Sequence, residues 1–222
     1  MNDNKSAYNS NIYDEHIVNV LPYYREYHLQ ILDLVNSMDL KNIDWLDCGC
    51  GTGTLALKVL ESRKDVRFTL CDPSDKMLSE AKEKLSGRDI RFLNVPSQLL
   101  EFESEFDVVT AVQSHHYFKP DERREAVKRC YRALRDNGVF ITFENIRMST
   151  DESDAIALKR WLNFLEEHGN PKEDVQMHKN RRGVETFPIT IEEHIGLLRE
   201  CGFRSVDLLW TSYLQAGLFA VK

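Results

Sequence analysis

The sequence predicts an α/β fold: a doubly wound sheet, mostly parallel, that ends in a C-terminal antiparallel hairpin. Short apolar runs alternate with helical patterns from residue 43 onward, as parallel strand–helix units require. A glycine-rich turn carries the first run straight into a helix, and too few residues separate the last two runs for a parallel crossover. At roughly 100–200 residues per domain, 222 residues make a single domain. With 42% hydrophobic residues, disorder is excluded, and a core can form without disulfides or metals. A net charge of −7 argues against a nonspecific nucleic-acid coat, which needs clustered cations.

The N-terminal segment carries acids and no apolar run, so no signal peptide is expected. No stretch reaches the ~18 apolar residues of a membrane span. The five cysteines (Cys48, Cys50, Cys71, Cys130, Cys201) lack zinc-knuckle spacing and read as buried, reduced thiols of a cytoplasmic protein.

In chain order, residues 8–38 are Tyr-rich and helical, broken at Pro22. Strands are expected at Ile43–Cys48, Val66–Cys71, Ile90–Val95, Phe106–Val112 and Val139–Phe143. Helical patterns at 54–62, 74–86 and 121–135 lie between them, the last stopped by Asp136-Asn137-Gly138. Ala155, Leu158, Leu162 and Leu165 give helix 154–168 its apolar stripe, with Trp161 and Phe164 beside it as a second wall. A polar loop, 169–189, follows, then helix 190–201 and strands 203–210 and 213–221. The chain divides into a helical cap (1–40), a ligand-binding core (41–145), a helical insert over the substrate (146–190), and a closing helix and hairpin (191–222).

The most informative segment is Trp45 to Leu57. A strand ending in Asp47 runs through Gly49-Cys50-Gly51-Thr52-Gly53 into a helix whose free N–H groups face the turn. A pyrophosphate loop would read G-x-G-x-x-G; this one reads G-x-G-x-G, which disfavours a nicotinamide-dependent oxidoreductase. Asp47 would repel phosphate and suit an ammonium group. The next strand ends in Asp72, placed to accept both hydroxyls of a ribose, with Pro73 and Met77 able to pack on an adenine face.

These residues, with the closing hairpin, resemble class I S-adenosylmethionine-dependent methyltransferases, which have a Rossmann-like, seven-stranded fold. By that resemblance Asp47, Gly49, Cys50, Gly51 and Gly53 line the methionine end of the cofactor and Asp72 binds its ribose. The family's usual acid for the adenine amine is replaced by Asn94-Val95-Pro96-Ser97-Gln98, leaving Ser97 or Gln98 to substitute. Gln113, after the fourth strand, completes the cofactor site. A finer resemblance is to the branch containing carboxy-S-adenosylmethionine synthase of tRNA wobble-uridine modification. It rests on Tyr13-Asp14-Glu15, Pro22-Tyr23-Tyr24, the loop 169–189 and the C-terminal end, Cys201-Gly202-Phe203 with Ala216 to Lys222. That branch's carboxylate-binding arginine aligns with Lys179, which is not an equivalent bidentate anchor.

Chemistry is expected beyond the carboxyl ends of the strands, where Gln113-Ser114-His115-His116-Tyr117-Phe118 follows strand four. His115 or His116 can act as a base, with His115 the one read as facing the pocket; either can instead simply shape it. Tyr8, Tyr13, Tyr23, Tyr24 and Tyr27 form either an aromatic lid or helix packing. Tyr24, Tyr117, Lys179, Arg181 and Arg182 are the candidate substrate contacts, the basic ones for a carboxylate or phosphate. The reading is methyl transfer from S-adenosylmethionine to a small-molecule acceptor, releasing S-adenosylhomocysteine, with no metal and no membrane partner, in a monomer or homodimer. The alternatives are a tRNA-modification enzyme (methyltransferase or carboxy-S-adenosylmethionine synthase-like, disfavoured by the charge) and a non-catalytic cofactor-binding module.

Overall fold

Strands buried on both faces must be apolar along their length, and the central runs of this chain are. The computed structural model describes residues 9–222. Its strands are β1 (Ile43–Cys48), β2 (Val66–Cys71), β3 (Ile90–Leu93), β4 (Phe106–Val112), β5 (Leu134–Asn145), β6 (Ser205–Ser212) and β7 (Gln215–Val221). They form one sheet in the order β3-β2-β1-β4-β5-β7-β6. β1 to β5 pair in parallel, and β7 runs antiparallel to both β5 and β6. Strand order reverses between β1 and β4, so the crevice beyond their carboxyl ends is the place for a ligand.

The helices are α1 (Tyr13–Val20), α2 (Tyr24–Asn36), α3 (Thr54–Ser62), α4 (Asp75–Lys84), α5 (Pro120–Ala133), α6 (Asp151–Glu167), α7 (Lys172–Arg181) and α8 (Ile191–Glu200). Ile43, Trp45, Phe68, Val108 and Ile141 pack on one face with α1, α2, α3 and α6. Leu46, Cys48, Val109, Phe140 and Leu218 pack on the other with α5 and α8. This is the doubly wound, hairpin-closed sheet that the alternation and the short final connection predict.

Four local expectations are corrected. β3 stops at Leu93 rather than Val95. α5 ends at Ala133, and Asp136-Asn137-Gly138 is no helix cap: Leu134 is already extended and pairs with Phe106. Asn137 takes a left-handed φ of 66° and its N–H bonds the carbonyl of Lys222, so the turn serves the hairpin. The polar loop 169–189 contains α7, whose one buried residue, Val175, gives almost no apolar rhythm. In α6 the buried stripe is Ala157, Trp161 and Leu165, while Ala155 is exposed.

Candidate functional site

At the switch point a cavity of about 310 Å³ opens between the ends of β1, β2 and β4. Seven of the cofactor residues expected from sequence line it: Gly49, Asp72, Pro73, Met77, Ser97, Gln98 and Gln113. Gly49 (φ 69°) lets the chain turn where β1 meets β4, since a Cβ there would lie 2.5 Å from the Cβ of Ser114. A Cβ at Gly53 would strike Leu85 and Ala81, so this glycine seats α4 against the loop and does not face the cavity.

Asp47, Cys50 and Gly51 also stand outside the cavity lining. The Asp47 carboxylate accepts from Thr110 Oγ1 (2.7 Å), which in turn accepts from the Trp45 indole (2.9 Å). Burial pushes the Asp47 carboxyl up to about 7, against the Thr110 hydrogen bond, and the nearby Asp72 adds to the rise. Asp72 accepts from the Gly51 amide (3.0 Å) and the Ser74 amide (2.9 Å), tying the glycine loop to the start of α4. Ser74 caps that helix by accepting from the Met77 amide, which fixes Met77 at the cavity wall.

A second, smaller chamber of about 60 Å³ (the inner chamber, the first being the outer cavity) adjoins it, and Tyr13, Gln113 and Tyr117 line both spaces. Its other walls include apolar residues of α1 (Ile17, Val20), Trp161 of α6, and the polar groups His116, Asn145, His178 and Arg181. Gln113 holds its place with a left-handed φ of 53° and a 2.7 Å bond from its amide to Gln215 Oε1.

The histidine assignment is reversed. After β4 the chain leaves the extended state at Gln113 and enters a 3-10 turn, so strand alternation does not carry through to the pair. His116 lines the inner chamber, whereas His115 turns away to Ser97 Oγ (3.0 Å) and packs on Phe118 and Phe140. Burial holds His115 down at about 4, a neutral packing histidine. Glu144 was missed. It is fully buried at the end of β5, 2.8 Å from His116 Nδ1. An acid inside the run Phe140-Ile141-Thr142-Phe143-Glu144 was the available signal, because a buried charge needs a partner.

Among the tyrosines, Tyr13 faces both cavities, Tyr23 is exposed, and Tyr24 and Tyr27 pack on each other and the sheet. Tyr24 therefore lines neither space, and Tyr8 lies outside the described residues. Of the basic candidates, Lys179 is exposed and away from both cavities. Arg182 reaches the chamber, but its guanidinium is committed to Asp154 (2.8 and 3.1 Å), Asn145 and the Ile146 carbonyl. It is a strut between α7, β5 and α6. Arg181 pairs with Glu185 (2.6 Å) along one edge of the chamber.

The helical cap is fastened over the glycine loop. Asp14 of α1 accepts from Thr52 Oγ1 (2.7 Å), Thr54 Oγ1 (3.1 Å) and Lys84 Nζ. Burial favours its neutral form, yet these bonds, Lys84 first, bring the carboxyl below the ordinary range.

The outer cavity suits an adenosyl cofactor by its donor set. Gln98 Oε1 is buried without a hydrogen-bond partner among the described residues, an acceptor waiting for a donor such as an adenine amine. Residues 46–138 match the methyltransferase domain family. That match, together with the fold and the position of the cavity, is what the chain has in common with class I S-adenosylmethionine-dependent methyltransferases. A similar solved structure, an S-adenosylmethionine-dependent methyltransferase from Thermotoga maritima, superposes with a TM-score of 0.61 at 18% identity, covering 96% of this chain and 95% of that one.

Over most of its length the chain is similar in sequence to the carboxy-S-adenosyl-L-methionine synthases. It is 25% identical to that of Campylobacter lari, over 92% of this chain and 88% of the relative. It is also 25% identical to that of Staphylococcus epidermidis, over 98% and 96%. Among the described residues no helix is long and apolar enough to cross a membrane.

Proposed function

We propose that the protein transfers a methyl group from S-adenosylmethionine to a small-molecule acceptor held in the inner chamber. The observation that carries this is the junction: Tyr13, Gln113 and Tyr117 are shared by a nucleoside-sized cavity and a narrow chamber roofed by α1, α6 and α7. At about 60 Å³ the chamber has room for a small acceptor group. The cofactor supplies a methyl already activated by sulfonium. The chain's own work is to align the acceptor and exclude water. Asp72 and Gln98 are assigned to the ribose and the adenine, with Pro73 and Met77 against the ring. The buried thiols fit a reducing, cytoplasmic setting.

Calorimetry with S-adenosylhomocysteine tests the cofactor half. Binding is expected, and Asp72→Asn is expected to weaken it by about 10- to 100-fold, because charge-assisted bonds to the diol are each worth ~1.5–3 kcal/mol. Unchanged affinity would refute the ribose role, and stabilisation by NAD alone would sink the reading. Labelled methyl donor, offered with small metabolites and tRNA, tests the acceptor half; label on tRNA alone would overturn it.

A second reading, synthesis of a carboxylated cofactor, is favoured by the full-length relatives that carry that name. It predicts a carboxylated nucleoside released from the purified protein. Mass spectrometry of the denatured sample finding only S-adenosylmethionine or S-adenosylhomocysteine supports methyl transfer.

A further inference from the structure

The surroundings of Glu144 are more organised than a chamber wall requires. Its carboxylate accepts from the backbone amides of His115 (3.1 Å) and His116 (2.9 Å), from Thr142 Oγ1 (2.9 Å) and from His116 Nδ1 (2.8 Å). Burial alone would favour the protonated acid, but the hydrogen bond from the His116 ring and the other donors on both oxygens hold Glu144 below the ordinary carboxylate range. An ionised carboxylate only accepts, so Nδ1 carries a proton, and the ring's basic site is Nε2. That nitrogen has no hydrogen-bond partner among the described residues, and the ring lines the inner chamber.

The other groups facing Glu144 do not compete for this role. Burial keeps His115 and His194 at about 4. Arg123, itself buried, is bonded to the carbonyls of His115 (3.1 Å), Phe118 (3.2 Å) and Phe187. The Phe187 amide also donates to the His116 carbonyl (2.7 Å), so the turn carrying the histidine is fixed from both sides. An imidazole that donates through Nδ1 to a buried carboxylate is held in one tautomer and one orientation.

We propose that His116 is the proton acceptor in methyl transfer and Glu144 the residue that positions it, so the acceptor is a protic nucleophile, an O–H or N–H group. This rests on the methyltransferase reading above. As the acceptor heteroatom bonds the methyl carbon, the carbon–sulfur bond breaks and its electron pair returns to sulfur, leaving a neutral thioether. The acceptor's proton passes to Nε2, and the imidazolium, paired with Glu144, later releases it to water. Acceptors without a dissociable proton would gain nothing from the dyad.

Imidazole 15N–1H spectroscopy of the full chain, alongside calorimetry with S-adenosylhomocysteine, tests this without a known acceptor. The wild type should show His116 as the Nδ1–H tautomer. Glu144→Gln, whose amide can donate to Nδ1, should shift it toward Nε2–H; Glu144→Asp should retain Nδ1–H. Should Glu144→Gln fail to fold, His116→Asn replaces it in the second arm. There, labelled S-adenosylmethionine is offered with a panel of phenols, catechols, primary amines and thioethers. Label is expected on O–H or N–H acceptors, with kcat lowered about 100-fold or more in either variant while KM for the donor stays within about threefold. Phenols already ionised at the assay pH should lose less. An Nε2–H tautomer in the wild type, label on thioethers alone, or label on no protic acceptor overturns the proposal even where S-adenosylhomocysteine binds. Failure to bind S-adenosylhomocysteine overturns the functional reading and this proposal with it.

Discussion

Asp47 sits fully buried beside the glycine loop, and burial pushes its carboxyl up to about 7. A group whose pKa is raised in the folded state contributes its full stability below the unfolded value of about 4. That contribution is lost as pH rises through the folded value. Asp47→Asn keeps the acceptor for Thr110 and removes the charge, so it is expected to be near-neutral at pH 4 and stabilising by a few kcal/mol at pH 8. Urea unfolding of the ligand-free protein at the two values measures this; an equal difference at both would show that Asp47 is ionised without penalty. The residues that the sequence made visible are those whose chemistry is local: a glycine where the chain must turn, an acid at a strand tip, Met77 one turn into a helix. Glu144 and the facing of His116 were not visible, because both depend on a 3-10 turn and on β5 lying beside β4.

Among the elements, β1, β2, β4 and α3 begin and end where their apolar patterns do, since each is flanked by polar or glycine residues; the strands are buried nearly throughout, and α3 buries Leu55, Ala56 and Val59 on one face. The misread elements are those governed by partners distant in sequence. β5 starts at Leu134 because Phe106 offers a pairing edge, and α7 folds against α6 although its own sequence is almost entirely polar. α1 is held in the same nonlocal way, through Asp14 to Thr52, Thr54 and Lys84. The ion pair is partly exposed, with 42% of the Asp14 side chain accessible, so its loss should cost no more than ~1 kcal/mol. Lys84→Met is therefore expected to speed amide exchange in α1 and S-adenosylhomocysteine dissociation by about fivefold, leaving exchange in the sheet unchanged. Stopped-flow dissociation that matches wild type would show that α1 does not gate the outer cavity.

On the scale of the whole molecule, the cavity walls come from two bodies of different character. Gly49, Asp72, Met77 and Gln98 belong to the sheet core, whereas Ile17, Val20, Trp161, His178 and Arg181 belong to α1, α6 and α7. The three helices are tied to one another: the Trp161 indole donates to the Val20 carbonyl (2.9 Å), the Asn170 amide just before α7 donates to the Asn19 carbonyl (3.0 Å), and the Trp161 ring packs on His178 of α7. Arg182 fastens this group to the core, joining the end of β5 at Asn145 and Ile146 to Asp154 in the first turn of α6. Arg182→Met leaves Asp154, only 21% exposed, without its cation, at a cost of ~2–3 kcal/mol. Because the helices share their bonds, that loss should appear as one cooperative opening rather than as global unfolding. Hydrogen exchange is expected to quicken by about 30- to 100-fold in α1, α6 and α7 together, with β1, β4 and β5 protected as before. Affinity for S-adenosylhomocysteine should change only a few-fold, because Asp72 and Gln98 do not move with the cap, while methyl transfer should fall with the loss of the inner chamber. A uniform rise in exchange across cap and sheet would mean that the chain opens as one unit, and that the helices lining the inner chamber cannot move independently of the sheet core.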